Sequence, residues 1–112
     1  MFETIDGIKR THKCAALSKK NIGEDVVLMG FTNSVRNLGG LIFINLRDVS
    51  GIIQCVFGTD DAAMYEKAAK VRDEFVIAVC GKVAARDESA VNPNMATGDI
   101  EIVATELRIL ST

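Results

Sequence analysis

The chain has no tryptophan, one histidine, one proline and one tyrosine in 112 residues. With a single histidine and no Cys-x-x-Cys spacing, a four-ligand zinc site has nothing to assemble from. His12-Lys13-Cys14 offers two ligands and no second pair, so no metal site is expected. Hydrophobic residues make up 48% of the chain but never form a run long enough to span a bilayer. The N-terminal segment MFETIDGIKRTHKC lacks the apolar stretch of a secretory signal. The three cysteines, Cys14, Cys55 and Cys80, are odd in number and widely spaced, which argues against a disulfide framework. Cys55 and Cys80 lie in apolar strand patterns and are expected as reduced core residues of a cytoplasmic chain. No Walker loop and no Gly-x-Ser-x-Gly elbow occurs. His12 and Cys14, two residues apart, would share one face of a strand, but no third orienting group accompanies them. The chain carries no predicted catalytic residue.

Charge is nearly balanced, at −2 overall. Residues 1–50 hold seven Lys/Arg against five Asp/Glu, and residues 51–112 hold six against ten. The positive excess (Lys9, Arg10, Lys13, Lys19, Lys20, Arg36) is N-terminal. It permits a local phosphate-binding patch and is equally consistent with a solvated surface.

Five strand patterns and one helix pattern follow a lead-in over about 1–24. The strands are Val26–Arg36, Leu41–Asp48, Ile52–Phe57, Glu74–Arg86 and Asp99–Leu110. The helix is expected at Asp60–Arg72, with Met64, Ala68, Val71 and Phe75 at helical spacing and Asp60-Asp61 at its positive end. Gly81 marks a bend in the fourth strand. The apolar parity of the fifth switches from Ile100/Ile102 to Val103/Leu107/Ile109, which predicts a bulge. Asp87–Gly98 is a polar loop holding the only proline, Pro93. Three strands, a helix and two strands is the order of an all-β, five-stranded Greek-key OB-fold barrel, with its helix between strands three and four. We therefore read residues 1–112 as one such domain, its barrel over about 25–110.

The hairpin Gly39–Phe57, GGLIFINLRDVSGIIQCVF, carries the functional signal. Ile42, Ile44 and Leu46 alternate with Phe43, Asn45 and Arg47. One face is apolar. The other is polar and cationic, apart from the ring of Phe43. An outward ring on such a face suits stacking of a nucleobase. Gln54, on the next strand, shares parity with Ile52 and Val56, which on the residues alone suggests a solvent-facing glutamine.

LIFINLRD, GIIQ and NMATGDIEI, preceded by KRTHKCAAL, occur in the order and spacing of one family. From about Lys9 to Leu110 the chain resembles the N-terminal anticodon-binding domain of bacterial aspartyl-tRNA synthetase. The resemblance implies that Phe43 stacks on the middle anticodon base, a uracil, and that Gln54 hydrogen-bonds the same base. Glu101 would accept from the N1–H and N2–H edge of a guanine at the first position. Arg36 and Arg86 would meet phosphates or the third base, a cytosine. His12, Asn92 and Asn94 are weaker candidates for RNA contact. The implied partners are the tRNA(Asp) anticodon stem-loop and a catalytic domain of the same parent chain, in a parent homodimer, with no membrane. The parent would use ATP and Mg2+, and this chain would hold no cofactor of its own. Phe31 stands where a tryptophan is usual and is expected in the core. Ser34-Val35-Arg36-Asn37 replaces an arginine-rich stretch. Arg47 and Asp48 could also pair with each other. The alternative function is a free-standing OB module for single-stranded nucleic acid or protein.

Overall fold

A computed structural model describes residues 3–112, so the first two residues of the lead-in lie outside the described residues. Five strands close a barrel: β1 (Asp25–Asn37), β2 (Leu41–Asp48), β3 (Gly51–Gly58), β4 (Val76–Ala85) and β5 (Ile100–Ser111). Their order around it is β1-β2-β3-β5-β4, closed by antiparallel pairing of β1 with β4. A short parallel contact joins β3 to β5 through Cys55–Ile102 and Val56–Val103. Helix α1 (Ala62–Ala69) lies between β3 and β4. It is shorter than Asp60–Arg72 because Asp61 is its cap, accepting the Met64 amide through its side chain. Arg72 lies beyond the other end and donates to the carbonyls of Ala69 and Val71, a common way to satisfy the last turn.

Alternation on β2 is what aims the outer face. Ile42, Ile44 and Leu46 are fully buried, while Phe43, Asn45 and Arg47 are half-buried on the opposite side. Burying each aliphatic side chain contributes roughly 1.5–3 kcal/mol, so a one-residue register slip would be strongly opposed. The turn after β2 is held by Asp48, whose side chain accepts the amide of Ser50 at 2.8 Å. Gly51 supplies a φ of +147° there.

The lead-in plugs one end of the barrel. Cys14 and Leu17 are buried, and the amides of Cys14 and Ala15 donate to Asp48 and Ser50 at 2.8 and 2.9 Å. Cys14 therefore joins Cys55 in the core, whereas Cys80 is only half-buried, on the other face of β4. The bulge in β5 is present: the pairing runs Cys80–Glu106 and then Gly81–Ala104, so Thr105 is the extra residue. Core parity consequently runs through Ile100, Ile102 and Ala104 before shifting to Leu107, and Val103 is exposed rather than a core residue. Gly81 is required opposite this bulge, because a Cβ there would lie 2.5 Å from the Val103 carbonyl oxygen.

Two further expectations are overturned. Phe31 is 45% exposed, with the Arg47 guanidinium 5.4 Å from its ring centroid. Its partner on β2 is Arg47, on the outer face of the sheet, so the ring cannot reach the barrel interior. Arg47 pairs with Glu74 at 3.0 Å and Asn33 at 3.4 Å, while Asp48 is taken up by the lead-in and its own turn.

Candidate nucleic-acid interface

The strand order places β1, β2, β3 and β5 so that four residues distant in sequence meet on the outer surface. Gln54 donates through Nε2 to Glu101 Oε1 at 3.2 Å and accepts at Oε1 from Arg36 Nη2 at 3.4 Å. The Arg36 guanidinium lies 5.2 Å from the Phe43 ring centroid, a cation–π distance. Arg36 and Phe43 are direct partners across β1 and β2. One continuous assembly thus runs Phe43, Arg36, Gln54, Glu101.

A cleft of about 350 Å³ opens over this assembly, lined by Arg36, Leu38, Phe43, Gln54, Arg86, Ala90 and Asn92. Gln54 does face outward, as its parity requires, yet it is only 4% exposed. Its neighbours from β1 and β5 cover it. Its amide still has one hydrogen and one lone-pair direction unused by these two bonds. Glu101 is half-buried and accepts one bond from Gln54, so its carboxylate keeps acceptor capacity. Arg36 is the exposed cation of the group, near the end of β1.

Arg86, just past β4, is buried at 9% exposure. Burial lowers its pKa from the usual guanidinium value, and the nearby charge of Glu101 works against that fall. Asn92 lines the cleft. Neither Asn94 nor His12 does. The Asn94 amide donates to the Asn92 side chain, and His12 Nδ1 lies 2.7 Å from Thr11 Oγ1. Leu38 and Ala90 are cleft residues that sequence reasoning missed. The only available signal was their position in the Asn37–Gly40 turn and the polar loop, the two segments that border the outer face.

A Cys–His pair does not form. Burial, with Asp48 beside it, pushes the Cys14 thiol up to about 12, so it is not a thiolate near neutral pH. Among the described residues no three His, Cys, Asp or Glu side chains gather as metal ligands would, and no helix is long and apolar enough to cross a membrane.

A closed five-stranded barrel with this topology, bearing an aromatic, cationic and amide-lined cleft over its β1–β2–β3 surface and the β4–β5 loop, defines an OB-fold binding domain. Residues 26–110 match the tRNA anti-codon family of OB-fold nucleic acid binding domains, and the chain belongs to that family. It is 56% identical over 112 residues to the aspartate–tRNA ligase of Ruminiclostridium cellulolyticum, covering 100% of this chain. It is 53% identical to the aspartate–tRNA(Asp/Asn) ligase of Lachnoclostridium phytofermentans over 99% of the chain. In each case the match spans only 19% of the ligase. Among solved structures, asparaginyl-tRNA synthetase from Pyrococcus horikoshii superposes with a TM-score of 0.78 at 28% identity, over 94% of this chain and 23% of that one. The resemblance to aspartyl-tRNA synthetases is thereby borne out over the whole chain.

Proposed function

We propose that this domain recognises the anticodon of tRNA(Asp) for an aspartate–tRNA ligase. The observation that carries this reading is the linked assembly of Phe43, Arg36, Gln54 and Glu101, the first three of which line one cleft. Splayed anticodon bases offer stacking faces and Watson–Crick edges, and each has a matching group here.

The half-exposed ring of Phe43 takes the middle base, a uracil, in stacking. The unused donor and acceptor of Gln54 suit the O4 or O2 and the N3–H of that base. Its bonds to Arg36 and Glu101 hold the amide in place before the base arrives, so less freedom is lost on binding. The spare acceptor capacity of Glu101 suits the N1–H and N2–H edge of guanine at the first position. A carboxylate repels phosphates, so its presence on an RNA face fits base reading better than backbone contact. The third base, a cytosine, and the adjoining phosphates fall to Arg36, the exposed cation of the cleft, with the buried Arg86 behind it. An arriving base displaces Arg36 from the Phe43 ring, and its exposed guanidinium is then free for a phosphate.

In the same reading the parent protein is a cytoplasmic homodimer. A catalytic domain outside this sequence supplies the ATP- and Mg2+-dependent aminoacylation, and this domain positions the tRNA for it. No step of that chemistry involves the residues described here. Binding an RNA hairpin with the loop triplet GUC, against one with the middle base changed, tests the reading.

A further inference from the structure

Arg86 has a use within the domain itself. Its Nε donates to the Ile100 carbonyl at 2.9 Å, its Nη1 to the Ala90 carbonyl at 3.3 Å, and its Nη2 approaches Met95 Sδ at 3.8 Å. All three guanidinium nitrogens are engaged, and two of them hold the loop between β4 and β5. That loop is closed on itself: Asn92 donates to Gly98, Met95 to Asn92, and Gly98 to Met95, at 2.9, 3.2 and 3.0 Å. Thr97 ties its far end to the Ile52 carbonyl at 2.6 Å. Near its first half, Arg86 is the side chain that joins the loop to the barrel, and Asn92 from this loop lines the cleft. A lysine could not make this three-way contact, because it lacks the planar fork of donors.

We infer that Arg86 is a positioning residue: it fastens the β4–β5 loop so that Asn92 and Ala90 wall the base-reading cleft, and it acts on RNA through that loop rather than by contacting a phosphate. This rests on the anticodon reading above. Arg36, exposed and hydrogen-bonded only to Gln54 among the described residues, is left as the phosphate-facing cation of the cleft.

Two variants of the 112-residue chain separate the roles. Arg86→Gln removes the fork and the charge. Gly98→Ala disturbs the same loop with Arg86 intact, because a Cβ there would lie 1.8 Å from the Asn92 carbonyl oxygen. Affinity for the GUC hairpin is measured over a range of salt, and amide exchange is followed at Asn92 and Gly98, with Ile44 as a barrel reference. Both variants should lose roughly tenfold or more in affinity, since displaced cleft walls leave polar groups unpaired. In both, the slope of log affinity against log salt should stay as in the parent sequence, and the loop amides should exchange faster while Ile44 stays protected. A shallower slope for Arg86→Gln, by about 0.7, is the mark of a lost phosphate contact and overturns the inference. So does full affinity in Gly98→Ala with a loosened loop. Should Arg86→Gln expose the barrel amides, Gly98→Ala decides alone. If the unaltered chain binds GUC and a middle-base variant equally, the anticodon reading fails instead. The loop-fastening claim is then judged on amide exchange, and unchanged protection in Arg86→Gln sinks it.

Discussion

Phe43 keeps its ring partly uncovered because its neighbours Ile42 and Ile44 take the barrel interior. Removing it should therefore touch binding more than folding. Phe43→Ala is expected to weaken GUC-hairpin binding by ~1–3 kcal/mol, the usual worth of a base–aromatic stack, with a near-unchanged urea midpoint. Loss of the folded state in that variant would show the ring to be a core residue. Glu101→Gln keeps shape and the contact with Gln54 but replaces an acceptor-only carboxylate. It should weaken binding to a first-position guanine by ~1.5–3 kcal/mol, as for hydrogen bonds to charged groups, and narrow the preference over a first-position adenine. Competition titration with the two hairpins reads this directly. At this scale the sequence spoke clearly about Phe43, whose neighbours in the strand aim it. It was silent on the burial of Gln54, which comes from Arg36 and Glu101, 18 and 47 residues away. It misled on Phe31, since an aromatic in an apolar strand reads as core until its partner across the sheet is known to be Arg47.

Elements set the angles at which those residues meet. β5 can place Ile100, Ile102 and Ala104 inside and still return Leu107 to the core only by inserting Thr105, and Gly81 makes room on β4. Gly81→Ala should destabilise the domain by ~1–3 kcal/mol, the range for overpacking a tight site, measured by urea unfolding. The bulge was legible as a parity switch. Its position was not, because Val103 is apolar and yet exposed. The lead-in depends on Asp48. Burial pushes the pKa of its carboxyl up, but hydrogen bonds from Ser50 and the Cys14 amide outweigh that and hold it below the ordinary value. A depressed folded pKa stabilises the domain above the unfolded value, and that stabilisation fades as pH falls through the folded one. Thermal stability should thus drop more steeply on acidification below about pH 4 in the unaltered chain than in Asp48→Asn, which keeps one acceptor oxygen for the Ser50 and Cys14 amides but has no carboxyl to titrate. Equal acid sensitivity would show that Asp48 is not the group responsible.

As a whole molecule the domain is a binding surface on a barrel of near-neutral charge. It relies on a few shaped contacts more than on a strong field, so its RNA affinity should fall with salt by a small slope, of about one phosphate's worth. Element order, taken with the family resemblance, was enough to read the fold as an OB barrel. Stacking was suggested by strand parity, while reading of this particular triplet came from the family resemblance, since no periodicity encodes which base a carboxylate will meet. The most direct test is therefore affinity for two RNA hairpins that differ only in the middle base of the loop triplet, GUC against GAC. The account predicts at least about tenfold tighter binding to GUC, because a wrong base leaves Gln54 and its partners unpaired. Equal affinity for the two would contradict it, and would leave a barrel that binds single strands without reading them.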